Sequence, residues 1–137
     1  MTVNSTPPPQ VWPTLRARDA RRLIRFLVDT FGFEEVMVIA DGDSVHYAQL
    51  RWPPGGGIML GSVRDDQDDP WPVQPGGFGG YAVTDELDEL YARVVAAGAE
   101  VVQELRKTDF GSQEFHVRDP EGNRWSFGTY RGEPVPS

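Results

Sequence analysis

An internal duplication constrains this chain more than any other feature. Asp19 stands 13 residues before Gly32, and Asp85 stands 13 before Gly98. Gly32 to Gly61 spans 29 positions and Gly98 to Gly128 spans 30. A shift of 66 or 67 lays Leu50-Arg51-Trp52-Pro53-Pro54-Gly55 over Val117-Arg118-Asp119-Pro120-Glu121-Gly122. Two copies at so long a period do not make a solenoid, in which many short units stack. They predict two similar modules related by a pseudo-two-fold within one structural domain.

Each copy reads βαβββ. In the first, a strand over Val11–Ala17 precedes a helix capped by Asp19 that runs to about Thr30, with Leu23, Leu27 and Phe31 on its apolar face. Gly32 ends it, and strands follow over Glu35–Ala40, Ser44–Trp52 and Ile58–Gly61. In the second, Tyr81–Val83 is a strand and Asp85 a helix cap. Leu87, Leu90, Tyr91, Val94 and Val95 mark the helix's apolar face, and Gly98 its end. The last strands are Glu100–Leu105, Glu114–Arg118 and Arg124–Tyr130. The expected organisation is a Pro-rich arm (1–10), the first module (11–61), an acidic Pro/Gly-rich connector (62–79), the second module (80–130) and a short tail (131–137). Before the final strand, Asp119, Pro120 and Gly122 supply turn chemistry. Trp125, Ser126 and Phe127 then alternate, so Ser126 points away from the core.

Composition narrows the function classes. A net charge of −8 argues against nucleic acid, whose affinity comes mostly from Lys and Arg on phosphates. The same charge suits a cationic ligand, although acidic surfaces also serve solubility. With no cysteine there is no disulfide scaffold, thiolate metal site or Cys nucleophile. No apolar run approaches ~20 residues, and MTVNSTPPPQ lacks a basic region followed by an apolar one. A cytoplasmic protein with no membrane partner is expected.

With GFEE after the first helix, AAGAEV after the second and RDPEGNRWSFGTY at the end, the chain resembles the vicinal oxygen chelate superfamily. That superfamily includes glyoxalase I, extradiol dioxygenases, fosfomycin-resistance enzymes and bleomycin-resistance proteins. The resemblance covers roughly residues 11–130. It implies an α+β fold in which two tandem βαβββ modules form a pseudo-symmetric, incompletely closed sheet around a cavity. Metal-dependent members take ligands from the first and last strands of each module. The matching positions here are Trp12, Met59, Phe78 and Ser126. An indole, a thioether, a phenyl ring and a hydroxyl do not suit a hard divalent cation, so no metal and no other cofactor is expected at that site. Bleomycin-resistance-type members share this loss, and the resemblance to them implies an acidic homodimer that sequesters a cationic aromatic compound.

Strand parity then places Tyr47, Gln49 and Arg51 of one module and Glu114, His116 and Arg118 of the other on the cavity side, beside Trp12, Met59, Phe78 and Ser126. Aromatic walls with a few polar groups suit a small molecule. Trp12 and Phe78 equally suit space-filling, and Met59 core filling. Trp52 and Phe110, beside turns, are read as exposed rim or dimer contacts. Trp71, between prolines in the connector, is a candidate lid. The expected ligand set is Trp12, Tyr47, Gln49, Met59, Phe78, Phe110, His116 and Ser126. The alternative is an enzyme (lyase, isomerase or dioxygenase) with a divalent metal at a non-standard site or acid–base chemistry from Glu114, His116 and Tyr47.

Overall fold

Asp19 starts the first helix as its position predicts, accepting a hydrogen bond from the Arg22 amide at 3.2 Å. A computed structural model describes residues 11–65, 68–69 and 72–133. The arm (1–10), Trp71 and the tail beyond Glu133 lie outside the described residues. The first module comprises β1 (Thr14–Ala17), α1 (Ala20–Phe26) with a π-helical turn at Leu27–Phe31, β2 (Glu34–Asp41), β3 (Ser44–Arg51) and β4 (Gly57–Ser62). The second comprises β5 (Gly79–Val83), α2 (Leu87–Ala96), β6 (Glu100–Lys107), β7 (Gln113–Arg118) and β8 (Arg124–Gly128).

The duplication is visible in the sheets, ordered β1-β4-β3-β2 and β5-β8-β7-β6. β1 pairs in parallel with β4, and β5 with β8, while the other neighbours are antiparallel. The fold is α+β, and the two sheets do not close into one barrel. Among the described residues, no helix is long and apolar enough to cross a membrane.

Three local expectations need correction. Asp85 does not cap α2. The Thr84 hydroxyl takes the Glu86 amide at 3.1 Å, Glu86 holds the cap position, and Asp85 pairs with Arg131 outside the helix. Val95 is 52% exposed, because it lies about 100° around the helix from buried Val94. Trp52 is not a rim residue. It is 8% exposed, and its indole Nε1 donates to the Val83 carbonyl at 2.9 Å.

The helix-facing side of each sheet follows the expected alternation. Leu15, Ala48, Leu50, Ile58 and Leu60 are buried in one sheet, and Phe115, Val117, Trp125 and Phe127 in the other. These faces merge into a single core. The π turn adds a residue to the helical repeat where Phe31 enters that core, which also takes in Phe33. Both then meet the opposite module: Phe31–Phe127 centroids lie 4.8 Å apart and Phe33–Trp125 centroids 5.5 Å apart, edge to face. Each such pair contributes about 0.5–1.5 kcal/mol beyond its buried area.

The modules also brace each other reciprocally. The β3–β4 turn sends Trp52 to the end of β5, while Glu121 in the β7–β8 turn accepts the Arg18 and Asp19 amides at 2.7 and 2.9 Å. Arg18 and Thr84 are equivalent under the shift of 66, so each turn holds the strand–helix junction of the other module.

Candidate functional site

With one face of each sheet committed to the core, function falls to the other face. On the first sheet Gln49 and Met59 are paired neighbours, and Thr14 pairs with Met59 from the other side. Tyr47 lies two residues before Gln49, and its hydroxyl donates to Gln49 Oε1 at 3.2 Å. On the second sheet Tyr81, Ser126 and His116 form one row across β5, β8 and β7. His116 Nε2 lies 2.7 Å from Glu114 Oε2, the two side chains sharing a face at i and i+2 as predicted. Arg106 stands 4.0 Å from the same carboxylate oxygen, and Arg124 reaches His116 Nδ1 at 3.4 Å. The pair is about four-fifths buried.

Each dyad takes its hydrogen bonds within its own sheet. Of five surface cavities of about 200, 470, 350, 290 and 270 Å³, none is lined by Tyr47, Gln49, Met59, Glu114, His116 or Ser126. These residues of the two open faces are not brought together as walls of one of these cavities.

Trp12 lies just outside the strand in which it was expected, and Phe78 lies just before β5. Trp12 covers Gly57, where a Cβ would come within 2.7 Å of the indole and 2.3 Å of the Leu50 carbonyl. Phe78 covers Gly80, where a Cβ would meet the ring at 2.7 Å, and it packs on Trp125 with centroids 5.1 Å apart. Glycine is thus needed at both places for a ring to approach the backbone. Phe110 is 65% exposed and meets Tyr130 edge to face at 5.4 Å, whose carbonyl accepts from the Tyr81 hydroxyl at 2.8 Å. Burial, with the nearby Glu114 charge adding, raises the Tyr81 pKa above its ordinary 10.0, so the phenol is neutral at physiological pH.

The connector is not wholly solvated. Asp69 reaches back to an ion pair with Arg16, both side chains being less than a tenth exposed. Arg16 also lies over Gly61 and donates to the Ser62 carbonyl at 3.3 Å. Sequence reasoning missed this pair, and it missed a cavity of about 290 Å³ at the seam between the modules, with Phe33, Trp52, Phe78, Tyr81 and Trp125 among its walls. The Pro75-Gly-Gly-Phe-Gly-Gly80 run marks that place in the chain, since glycines beside an aromatic allow close backbone approach.

For metal binding, the donors decide. Ser126 and Met59 lie on different sheets, and neither Trp12 nor Phe78 carries a lone pair for a cation. The family's usual metal position does not fit a divalent ion here. Among the described residues, no three His, Asp or Glu side chains cluster to hold one elsewhere.

A search of curated proteins finds no match. Among solved structures, TioX from Micromonospora sp. ML1 is 30% identical over 85% of this chain and 94% of its own, with a TM-score of 0.70. Lactoylglutathione lyase from Agrobacterium tumefaciens is 25% identical over 90% of this chain and 95% of its own, with a TM-score of 0.65. A glyoxylase/bleomycin resistance protein/dioxygenase domain from Frankia sp. EAN1pec shares the fold at 20% identity, over 93% of this chain and 100% of its own, with a TM-score of 0.67. Residues 10–127 match the Glyoxalase family. The chain therefore belongs to the Glyoxalase/Bleomycin resistance protein/Dioxygenase superfamily.

Proposed function

We propose that this protein binds a small, planar, positively charged aromatic compound without a metal and without transforming it, as sequestration of an antibiotic requires. The observation that carries the reading is the content of four positions. Where metal-dependent members of the superfamily hold their ion, this chain has Trp12, Met59, Phe78 and Ser126. Rings and a thioether suit stacking and dispersion, and the net charge of −8 draws a cation in. In this reading the protein acts in the cytoplasm as a homodimer, the second copy covering open sheet faces. β2 supports that part, being an edge strand with Val36, Met37 and Ile39 about half exposed.

Titrating proflavine, a planar aromatic cation, while following Trp fluorescence tests the reading. Saturable one-to-one binding that weakens with salt is expected. Indifference to proflavine and to metal-free bleomycin would sink it.

One observation favours a second reading, in which the protein is an enzyme. Glu114 and His116 are hydrogen-bonded at 2.7 Å, the geometry of an oriented general base. Recovery of a chemically altered ligand, lost on His116→Ala, would establish that reading in place of the first.

A further inference from the structure

The edge of β5 has a consequence for what the seam cavity accepts. β5 lies at the end of its sheet and, among the described residues, pairs only with β8. The register runs without interruption from Gly79–Arg124 to Val83–Gly128. At its two ends the Arg124 amide donates to the Phe78 carbonyl at 2.9 Å, and the Thr84 amide to the Gly128 carbonyl at 3.0 Å. In a parallel ladder the residues that bond a given neighbour alternate. Phe78, Gly80, Ala82 and Thr84 therefore face β8, and Gly79, Tyr81 and Val83 aim their N–H and C=O groups outward. The Val83 carbonyl confirms the direction, since it receives the Trp52 indole from the other module.

Gly79 and Tyr81 line the cavity of about 290 Å³. Its other walls are apolar or aromatic: Phe33, Trp52, Ile58, Phe78 and Trp125. An outward carbonyl at one residue and an outward amide two residues on form an acceptor–donor pair on one edge. Such a pair is matched by a cis-amide, which donates with its N–H and accepts with its C=O. Apolar walls with a few convergent polar groups are the usual make-up of a small-molecule site.

We propose that the seam cavity is a slot for a flat aromatic ring bearing a primary amide or lactam, held edge-on by the Gly79 carbonyl and the Tyr81 amide. The proposal rests on the binding reading above and gives it a place distinct from the open sheet faces. Discrimination comes from the edge. A ligand of the same shape that cannot donate leaves the Gly79 carbonyl unpaired in an apolar cleft, and is rejected.

The test compares naphthamide with methyl naphthoate, using amide hydrogen exchange and Trp fluorescence. Naphthamide is expected to slow exchange at Tyr81 and to bind about tenfold tighter than the ester. Gly79→Val sets a branched side chain beside the Gly79 carbonyl, at a position where a Cβ meets only the Arg124 carbonyl, at 4.0 Å, so the fold tolerates it. It is expected to weaken naphthamide about tenfold, while Val95→Ala on the exposed face of α2 leaves the affinity unchanged. Binding that ignores Gly79→Val, or protects amides elsewhere, overturns the slot and leaves the binding reading standing. Proflavine binding without naphthamide binding does the same. If naphthamide, proflavine and metal-free bleomycin all fail to bind, both the slot and the reading it rests on fail.

Discussion

Tyr47 and Gln49 on β3 occupy the places that Glu114 and His116 take on β7 when the chain is shifted by 67. Both pairs are hydrogen-bonded at i and i+2, one neutral at 3.2 Å and the other ionisable at 2.7 Å. The turns that follow differ in the same way. In the first module Trp52 reaches out to the neighbouring module, whereas its counterpart Asp119 turns inward. Asp119 is 5% exposed and accepts from the Glu121 and Asn123 amides, the Asn123 side chain and the Trp125 indole, at 2.9–3.0 Å. Duplication has kept the backbone positions and let the chemistry on them diverge. At these matched positions the second module holds a polar network and an acid–base pair, and the first holds an aromatic contact and a neutral pair.

The largest expected effect tests the turns. Asp119→Ala strands several buried donors and is expected to cost about 3–5 kcal/mol by denaturant unfolding. Trp52→Phe loses one hydrogen bond and the pyrrole part of a buried indole, so about 1–2 kcal/mol is expected. Equal costs would mean that the two turns have not diverged as described. Next come the glycines under the rings. Gly57→Ala pushes a Cβ against the Leu50 carbonyl at 2.3 Å, where only backbone movement relieves it, and should cost about 3 kcal/mol. At Gly80 the clash at 2.7 Å is with the Phe78 ring edge, which can turn, and about 1 kcal/mol is expected.

Smaller effects separate the open faces. Glu114→Gln is expected to weaken proflavine about threefold and to flatten its salt dependence, while Tyr47→Phe changes neither. Equal responses would show that the ionisable pair does not distinguish the modules toward ligand. The smallest effect is at alkaline pH. Because the Tyr81 pKa is raised in the folded chain, the stability its neutral form contributes is complete below 10.0 and is lost as pH rises through the raised value. Tyr81→Phe should remove that part of the alkaline decline in stability.

Much of this was legible in the residues because period-2 alternation fixes a strand's two faces. With Trp125 and Phe127 inward, Ser126 and His116 must share the other side, whereas the place of Tyr81 beside them depends on the β5–β8 register. The cap of α2 was not legible, since Thr84 and Asp85 are both good cap residues and only the packed backbone chooses between them. Trp52 was misread because exposure beside a turn depends on what the other module brings to it, here the end of β5. The seam cavity stayed hidden for the same reason: Phe33, Trp52 and Trp125 are far apart in sequence and meet only where the modules do. The Arg16–Asp69 pair joins a strand to a connector without periodicity, and no local pattern announces it.

The central claim is that both modules have given up metal ligation for ligand binding. Proflavine affinity measured on protein purified without chelator, and again after chelation, tests it most directly. The two values are expected to agree. A loss of binding on chelation, restored by one divalent ion per chain, would contradict the claim.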